Sequence, residues 1–437
     1  MKKTLRVALM IVAVLVLVTG CGKSKKNQVE TTKDKNGQTK ITYMETQPTE
    51  EKTALVNKMI DKFMKENPDI KVELISTPND QASEKMFNLA AAGELPDIIE
   101  MNDSWLAPLA EAGHLEDLSS FIDEWEQKDN IVDAACQLGK VMDNKMYYIP
   151  YGLWGTTVFY NKEALEETGL KAPVSTEEFY NVAKAMTKQE SGKSGYAMRG
   201  GLYGPTHAIM WMLGEAGTPN IIDEDTGECV FDTPEAIEGL KKYAELYQEG
   251  FAPADSISWG FRECVEAFTT EASGMVIQSN EVVQICNDKL GEDKYGTTML
   301  PVGASGKTYD TSGQTGYAMS ANSKNKEASW KFLSFMLDPE ESRELVVNMG
   351  FTPINKELAD DPAFTEGNGK VFMEQVMSDK IQFSNNPSYL PEWGELVGAY
   401  GTEQIQNLLL KKQTPEVTAK NLATFLNQAE EKYRKDN

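Results

Sequence analysis

The chain has 437 residues, 67 acids against 43 lysines and arginines, a formal net charge of −24, and two histidines. So acidic a surface makes nucleic acid and anionic ligands poor partners on electrostatic grounds, and His114 and His207 alone leave little material for a histidine-built zinc site or a Ser-His-Asp triad. The length exceeds what one hydrophobic core ordinarily serves, so two domains are expected.

Lys2, Lys3 and Arg6 precede an unbroken apolar run from Val7 to Val18, too short for a comfortable membrane span and of the length of a secretory h-region. Thr19, Gly20 and Cys21 follow directly, and VTGC resembles the bacterial lipoprotein cleavage box, which implies a signal peptide over 1–20 and lipidation of Cys21. A two-chain anchor, at ~0.8 kcal/mol per buried methylene, holds a soluble domain on a membrane almost permanently. The protein is therefore expected on the extracellular face of the cell membrane. The next stretch, GKSKKNQVETTKDKNGQTK, has no aromatic residue and one valine, too little apolar surface to offset the entropy of ordering it. Residues 21–38 read as a lipidated, flexible tether.

KITYME (40–45) reads as a strand, and Leu55, Val56, Met59, Ile60, Phe63 and Met64 then recur at helical spacing until Asn67 and Pro68 stop them. KVELIS (71–76) alternates as a strand, EKMFNLAAAG (84–93) is a helix closed by Gly93, and PDIIEM (96–101) is a third strand. This β-α-β-α-β order predicts a parallel sheet with right-handed crossovers. Ligands of such sheets bind beyond the carboxyl ends of the strands, which places Asn102, Asp103 and Trp105 at the mouth of a cleft. A second series begins after MYYIPYGLWG: a strand at TTVFY (156–160), a short helix capped by Asn161, and an amphipathic helix from Ser175 or Thr176 carrying Phe179, Val182 and Met186. Helices near 205–216, 233–249 and 261–270, a strand at 274–278, and a helix opened by Asp338 and Pro339 follow.

Three apparent motifs fail. GASGKT (303–308) lacks the first glycine of a phosphate loop, since residue 301 is Pro301. Ser323 and Lys326 form an S-x-x-K with no KTG companion, and DEDTGE (223–228) has its glycine one place too early for a calcium loop. A surface hairpin is the better reading of the last. Cys136, Cys229, Cys264 and Cys286 form no CxxC pair, so buried thiols and disulfides both stay open.

The tryptophans carry more information. Trp330 shares a helical face with Leu333 and Leu337 and reads as core, Trp125 reads as packing, and Trp211 fits either role. Trp105, Trp154, Trp259 and Trp393 each sit beside glycine, proline or short polar residues. Together with Asp103, Arg199, Gln278, Asn280 and Gln314, and with Glu45 at the end of the first strand, they make a set suited to sugars, whose apolar ring faces stack on indole and whose hydroxyls need planar polar partners. Trp105 has a second reading, packing under the helix that follows it.

AAAGELPDIIEMND followed by LAEAGHLEDL, YYIPYGLWGTTVFYNKEAL, SKNKEASWKFLSFML and MGFTPIN resemble the family 1 extracellular solute-binding proteins, the sugar-capturing, maltose-binding-protein-like lipoproteins of bacterial ABC importers. The resemblance spans nearly all of residues 40–437. It implies a type II periplasmic-binding-protein-like α/β fold of two lobes, 39–152 with 312–352 and 153–311 with 353–437, each a mostly parallel sheet flanked by helices, with the ligand cleft at the hinge. It also implies a di- or oligosaccharide ligand, ABC permease subunits as partners, a monomer, no cofactor, no metal and no catalysis. Ligand contacts are expected from Asp103, Trp105, Trp154, Trp259, Gln314, Trp393, Glu45 and Asn280. MVIQSNEVVQI (275–285) lacks the glycine-proline-tryptophan that often follows this strand in the family, and Trp259 is the candidate substitute. A polyamine, which also suits aromatic boxes with carboxylates, is the alternative ligand, and a secreted glycosidase is the alternative class.

Overall fold

The structure, a computed structural model, describes residues 33, 35, 37–140 and 145–436; the expected signal segment 1–20, Cys21 and most of the tether to residue 38 lie outside the described residues. The local signals act where they stand in the chain. Thr49 caps the helix Glu50–Glu66 by accepting from the Lys52 N–H, Gly93 ends the helix Asn79–Ala92 in the left-handed conformation at φ 71°, and Ser175 and Asp338 cap the helices Thr176–Met186 and Pro339–Met349.

The strands are β1 (Thr39–Glu45), β2 (Ile70–Ser76), β3 (Ile98–Asn102), β4 (Tyr148–Gly152), β5 (Thr156–Asn161), β6 (Ser194–Tyr196), β7 (Ser273–Ser279), β8 (Tyr295–Thr298), β9 (Thr308–Asp310), β10 (Thr315–Met319) and β11 (Ile381–Phe383). One sheet has the order β2-β1-β3-β10-β4 and a second β6-β7-β5-β8, while β9 pairs with β11. The β-α-β-α-β run makes β1 parallel to both β2 and β3, as its connections require.

Both larger sheets are nevertheless mixed, which corrects the expectation of mostly parallel ones. β10 runs antiparallel to β3 and β4, and only β6 with β7 is parallel in the second sheet. β10 follows β9 by the link 311–314 and β5 follows β4 after three residues, so each enters its sheet directly from a strand of another sheet and not through a β-α-β unit of its own.

Each large sheet has its own core. Ile41, Tyr43, Phe63, Tyr317 and Phe332 lie in the first, and Val158, Phe179, Trp211, Tyr243 and Leu396 in the second. The helices Pro391–Val397, Ala399–Leu409 and Pro415–Asp436, absent from the sequence reading, cover the second core with Leu396, Ile405, Leu408, Leu422 and Leu426. Trp330 and Trp125 are half-buried and pack edge to face at 5.8 Å. DEDTGE forms the expected turn, its Asp223 N–H donating to the Glu228 carbonyl and the Gly227 N–H to the Asp223 carbonyl. Among the described residues Cys136, Cys229, Cys264 and Cys286 form no disulfide.

Candidate ligand-binding cleft

The chain passes between the sheets at 153–155 and at 311–314, and a cleft of about 330 Å³ opens beside these crossings. The first sheet contributes Gln47 after β1, Asn102 at the end of β3 and Thr315 at the start of β10. The second contributes Gln278 and Ser279 at the end of β7 and Thr206, His207 and Met210 from the helix Gly204–Ala216, with Arg199 before it. Trp154, Thr156 and Asp310–Gly313 form the floor. Asn102 therefore lines the cleft where its position past a strand end placed it.

Three expected polar contacts instead brace the crossings. The fully buried Gln314 accepts from the Trp154 N–H at 2.9 Å and donates to the Trp154 carbonyl at 2.9 Å, closing a two-point amide pair across the two links. Asn280 accepts from the Gly155 N–H at 2.8 Å and donates to Thr352 Oγ1 at 3.0 Å. Asp103 accepts from the Gln314 N–H at 2.9 Å while its own N–H donates to the Gln314 carbonyl at 2.9 Å. A buried backbone N–H or carbonyl without a partner costs about 1–3 kcal/mol, so these side chains are held by the links they satisfy.

Of the four loop tryptophans only Trp154 lines the cleft, packed edge to face on Phe351 at 4.7 Å. Trp105 packs half-buried against the cluster of Met86, Leu106, Leu109 and Tyr148, which is its second reading. Trp259 packs beside Phe159, Cys264 and Phe268, and Trp393 is 7% exposed in the second core. Glu45 is fully buried, accepting from Thr53 Oγ1 and Ser76 Oγ at 2.9 Å each. None of these four lines the cleft. A large ring beside glycine marks room for the ring, and that room is filled as readily by the next segment of chain as by a ligand.

Gln47, Thr156, Asp310 and His207 also line the cleft and are absent from the residues nominated by sequence. Gln47 could have been found from the same strand-end rule that found Asn102. Its loop is fixed from below: Glu100 Oε2 accepts from the Thr46 and Gln47 N–H groups at 2.8 and 3.3 Å, and Glu100 Oε1 pairs with Lys52 and accepts from Tyr151 Oη at 2.9 Å. Asp310 is 3% exposed and accepts from Thr156 N–H and Oγ1 and from Ser312 N–H and Oγ. Burial and the neighbouring Arg199 push the His207 pKa down to about 3, so the imidazole is neutral at physiological pH.

Burial pushes the Asp103 carboxyl up to about 6 against the opposing backbone N–H donors. The folded protein then keeps this proton up to about pH 6, whereas the unfolded chain loses it near 3.9. Folded protein binds more protons in that window, so stability should fall as pH rises from about 4 to about 6 and level off above it, by roughly 1–3 kcal/mol. Asp103→Asn, whose amide oxygen can still accept from Gln314, should flatten that portion of the stability curve. Denaturant melts of both proteins at pH 4 and 7 measure the difference. An unaltered slope in the variant would show that Asp103 does not titrate there.

The family described as bacterial extracellular solute-binding protein matches residues 47–342. A putative binding protein of Brucella abortus is 24% identical over 362 residues, covering 83% of this chain and 86% of its own. The galactooligosaccharide-binding protein of Bacillus subtilis is 24% identical over 404 residues, covering 91% of this chain and 90% of its own. Among solved structures, the sugar-binding protein MalE of Xanthomonas citri superposes with a TM-score of 0.80 at 19% identity over 91% of this chain and 98% of its own. That likeness shows the fold, two α/β lobes of the maltose-binding-protein type.

Proposed function

The chain belongs to the bacterial extracellular solute-binding protein family, and from that premise we propose that it captures a di- or oligosaccharide in the cleft and delivers it to the membrane permease of an ABC importer. The observation that carries the reading is the cleft itself: a volume at the small end of ligand sites, one indole on its floor, and Gln47, Asn102, Thr156, Gln278 and Thr315 offering amides and hydroxyls around it. The relative from Bacillus subtilis, by its name, binds galactooligosaccharides. A calorimetric screen of the purified protein against neutral and acidic oligosaccharides tests the reading, and failure of every sugar to bind at millimolar concentration would reject it. Trp154→Ala should weaken the sugar found in that screen by ~1–3 kcal/mol, about 5- to 150-fold, the range for losing a stacked ring face. Equal affinities in the two proteins would remove Trp154 from the site.

A polyamine fits this cleft poorly. Asp310, the one lining carboxylate among the described residues, already accepts from four donors, and Arg199 brings a positive charge to the same wall. Glycoside hydrolysis needs two free carboxyls flanking the scissile bond, and the lining residues supply no such pair. We keep the reading of a binding protein that acts as a monomer without catalysis, cofactor or metal.

Motion and attachment complete the proposal. The lobes, 39–152 with 312–352 and 153–311 with 353–437, close about the braced links. Ile354, Leu358, Phe364 and Met373 pack in the first core, so we extend the first lobe beyond residue 352 and place the third crossing later in the chain. Among the described residues no helix is long and apolar enough to cross a membrane. Attachment to the extracellular face of the cell membrane is assigned to lipidated Cys21, and Cys21→Ala should release the protein to the medium or leave it unprocessed. Normal membrane retention of a mature-sized variant would count against lipidation.

A further inference from the structure

The cleft wall on the side of the second sheet gathers polar groups that, among the described residues, are left partly without partners. Arg199 is half-buried, its Nε donates to the Leu202 carbonyl at 3.0 Å, and its guanidinium carbon lies 5.6 Å from the Tyr203 ring centre. Among the described residues no carboxylate comes within ion-pair distance of Arg199, and its terminal nitrogens have no hydrogen-bond partner. Burial holds its pKa below the ordinary arginine value. Gln278 and His207 line the same cleft, 2% and 6% exposed, and Gln278 Nε2 and His207 Nδ1 find no partner among the described residues. A buried amide N–H left unpaired, as on Gln278, is destabilising until an acceptor arrives.

The backbone adds to the same corner. The thirteen-residue helix Gly204–Ala216 starts here, placing Thr206 and His207 of its first turn in the lining, and a helix start favours negative charge. Tyr203, just before it, holds φ at 63°, uncommon for a bulky side chain, and the residue is 48% exposed. Strain of this kind persists where the surrounding structure imposes it and concentrates at ligand sites.

Two acids bear on this corner. Asp310 already accepts from Thr156 and Ser312, and Glu281 accepts from Ser279 Oγ at 2.8 Å and acts on Arg199 only through its longer-range charge. Their presence disfavours a dianion and leaves room for a single negative charge. We propose that this corner is a subsite for the carboxylate of a uronic acid residue, making the ligand an acidic oligosaccharide whose carboxylate meets the planar fork of Arg199 and the amide N–H of Gln278. The proposal rests on the carbohydrate reading and narrows it. The net charge of −24 opposes anions at long range, but salt screens that field beyond about 8 Å, whereas Arg199 acts in contact. The expectation against anionic ligands thus holds for the surface and not for this pocket.

Paired probes test it: trigalacturonate against galactotriose, and glucuronate-branched xylotriose against xylotriose, titrated calorimetrically into the full chain. At least one acidic member should bind tenfold or more tighter than its neutral partner, and Arg199→Gln should bring that ratio near one. Gln278→Met should lower affinity for the acidic member severalfold without lowering Tm, because it removes an unpartnered buried amide; a purely structural glutamine would lower Tm instead. Should Arg199→Gln not fold, Arg199→Lys keeps the charge without the fork, and its acid-to-neutral ratio should fall between wild type and one. Neutral sugars binding as tightly as acidic ones, or a ratio unmoved by the variants, overturns the subsite and leaves the carbohydrate reading standing. If no sugar of either kind binds, both fall.

Discussion

Lys52→Met should cost about 3–5 kcal/mol of stability, the range for removing one partner of a buried ion pair and leaving the other charge uncompensated. Lys52 and Glu100 are 1% and 0% exposed, and the ammonium also lies 5.5 Å from the Tyr151 ring centre. In the variant the Glu100 carboxylate keeps its Tyr151, Thr46 and Gln47 donors but no cation. Because those donors include the backbone of the loop bearing Gln47, the damage should reach the cleft and weaken sugar binding as well. The double variant Lys52→Met with Glu100→Gln removes both charges and should regain a substantial part of the loss, since a buried pair is often worth little net against neutral replacements. Denaturant melts at neutral pH, fitted to the transition of the first core, measure both effects. A loss under 1 kcal/mol in the single variant would mean that water reaches Glu100.

Trp393→Ala should cost about 3–5 kcal/mol of stability as well, the range for emptying an indole from a packed core. The ring is 7% exposed on the helix Pro391–Val397, within a core that includes Leu390, Leu396 and Ile405, and it does not line the cleft. The protein that remains folded should bind sugar within about twofold of wild type, since an affinity change of that size is under ~0.5 kcal/mol. Thermal melts and calorimetric titration on one preparation separate the two roles. The resemblance to solute-binding proteins implies the opposite, a folded variant that binds poorly, and that result would return Trp393 to the ligand.

Much of the fold was legible because its signals are local. The apolar periodicity of residues 55–64, the capping by Ser175 and Asp338, and the glycine stop at Gly93 each act within a few residues, over distances where the chain has little conformational freedom to interfere. The direction of β10 was not legible, since it depends on where the chain returns after crossing to the other sheet.

The candidate site divides along the same line. Residue type and position past a strand end were enough to nominate Asn102, and sequence resemblance was enough to nominate Trp154. Only the tertiary structure decided that Gln314 braces Trp154 across 160 residues and that Asp103 is tied to Gln314 across 211. It likewise turned Trp105, Trp259 and Trp393 onto neighbouring segments and brought Arg199, His207 and Gln278 to one wall. A side chain's chemistry is written in the sequence, but its partner is whichever group long-range packing brings within about 3 Å, and a hydrogen bond weakens steeply beyond that reach.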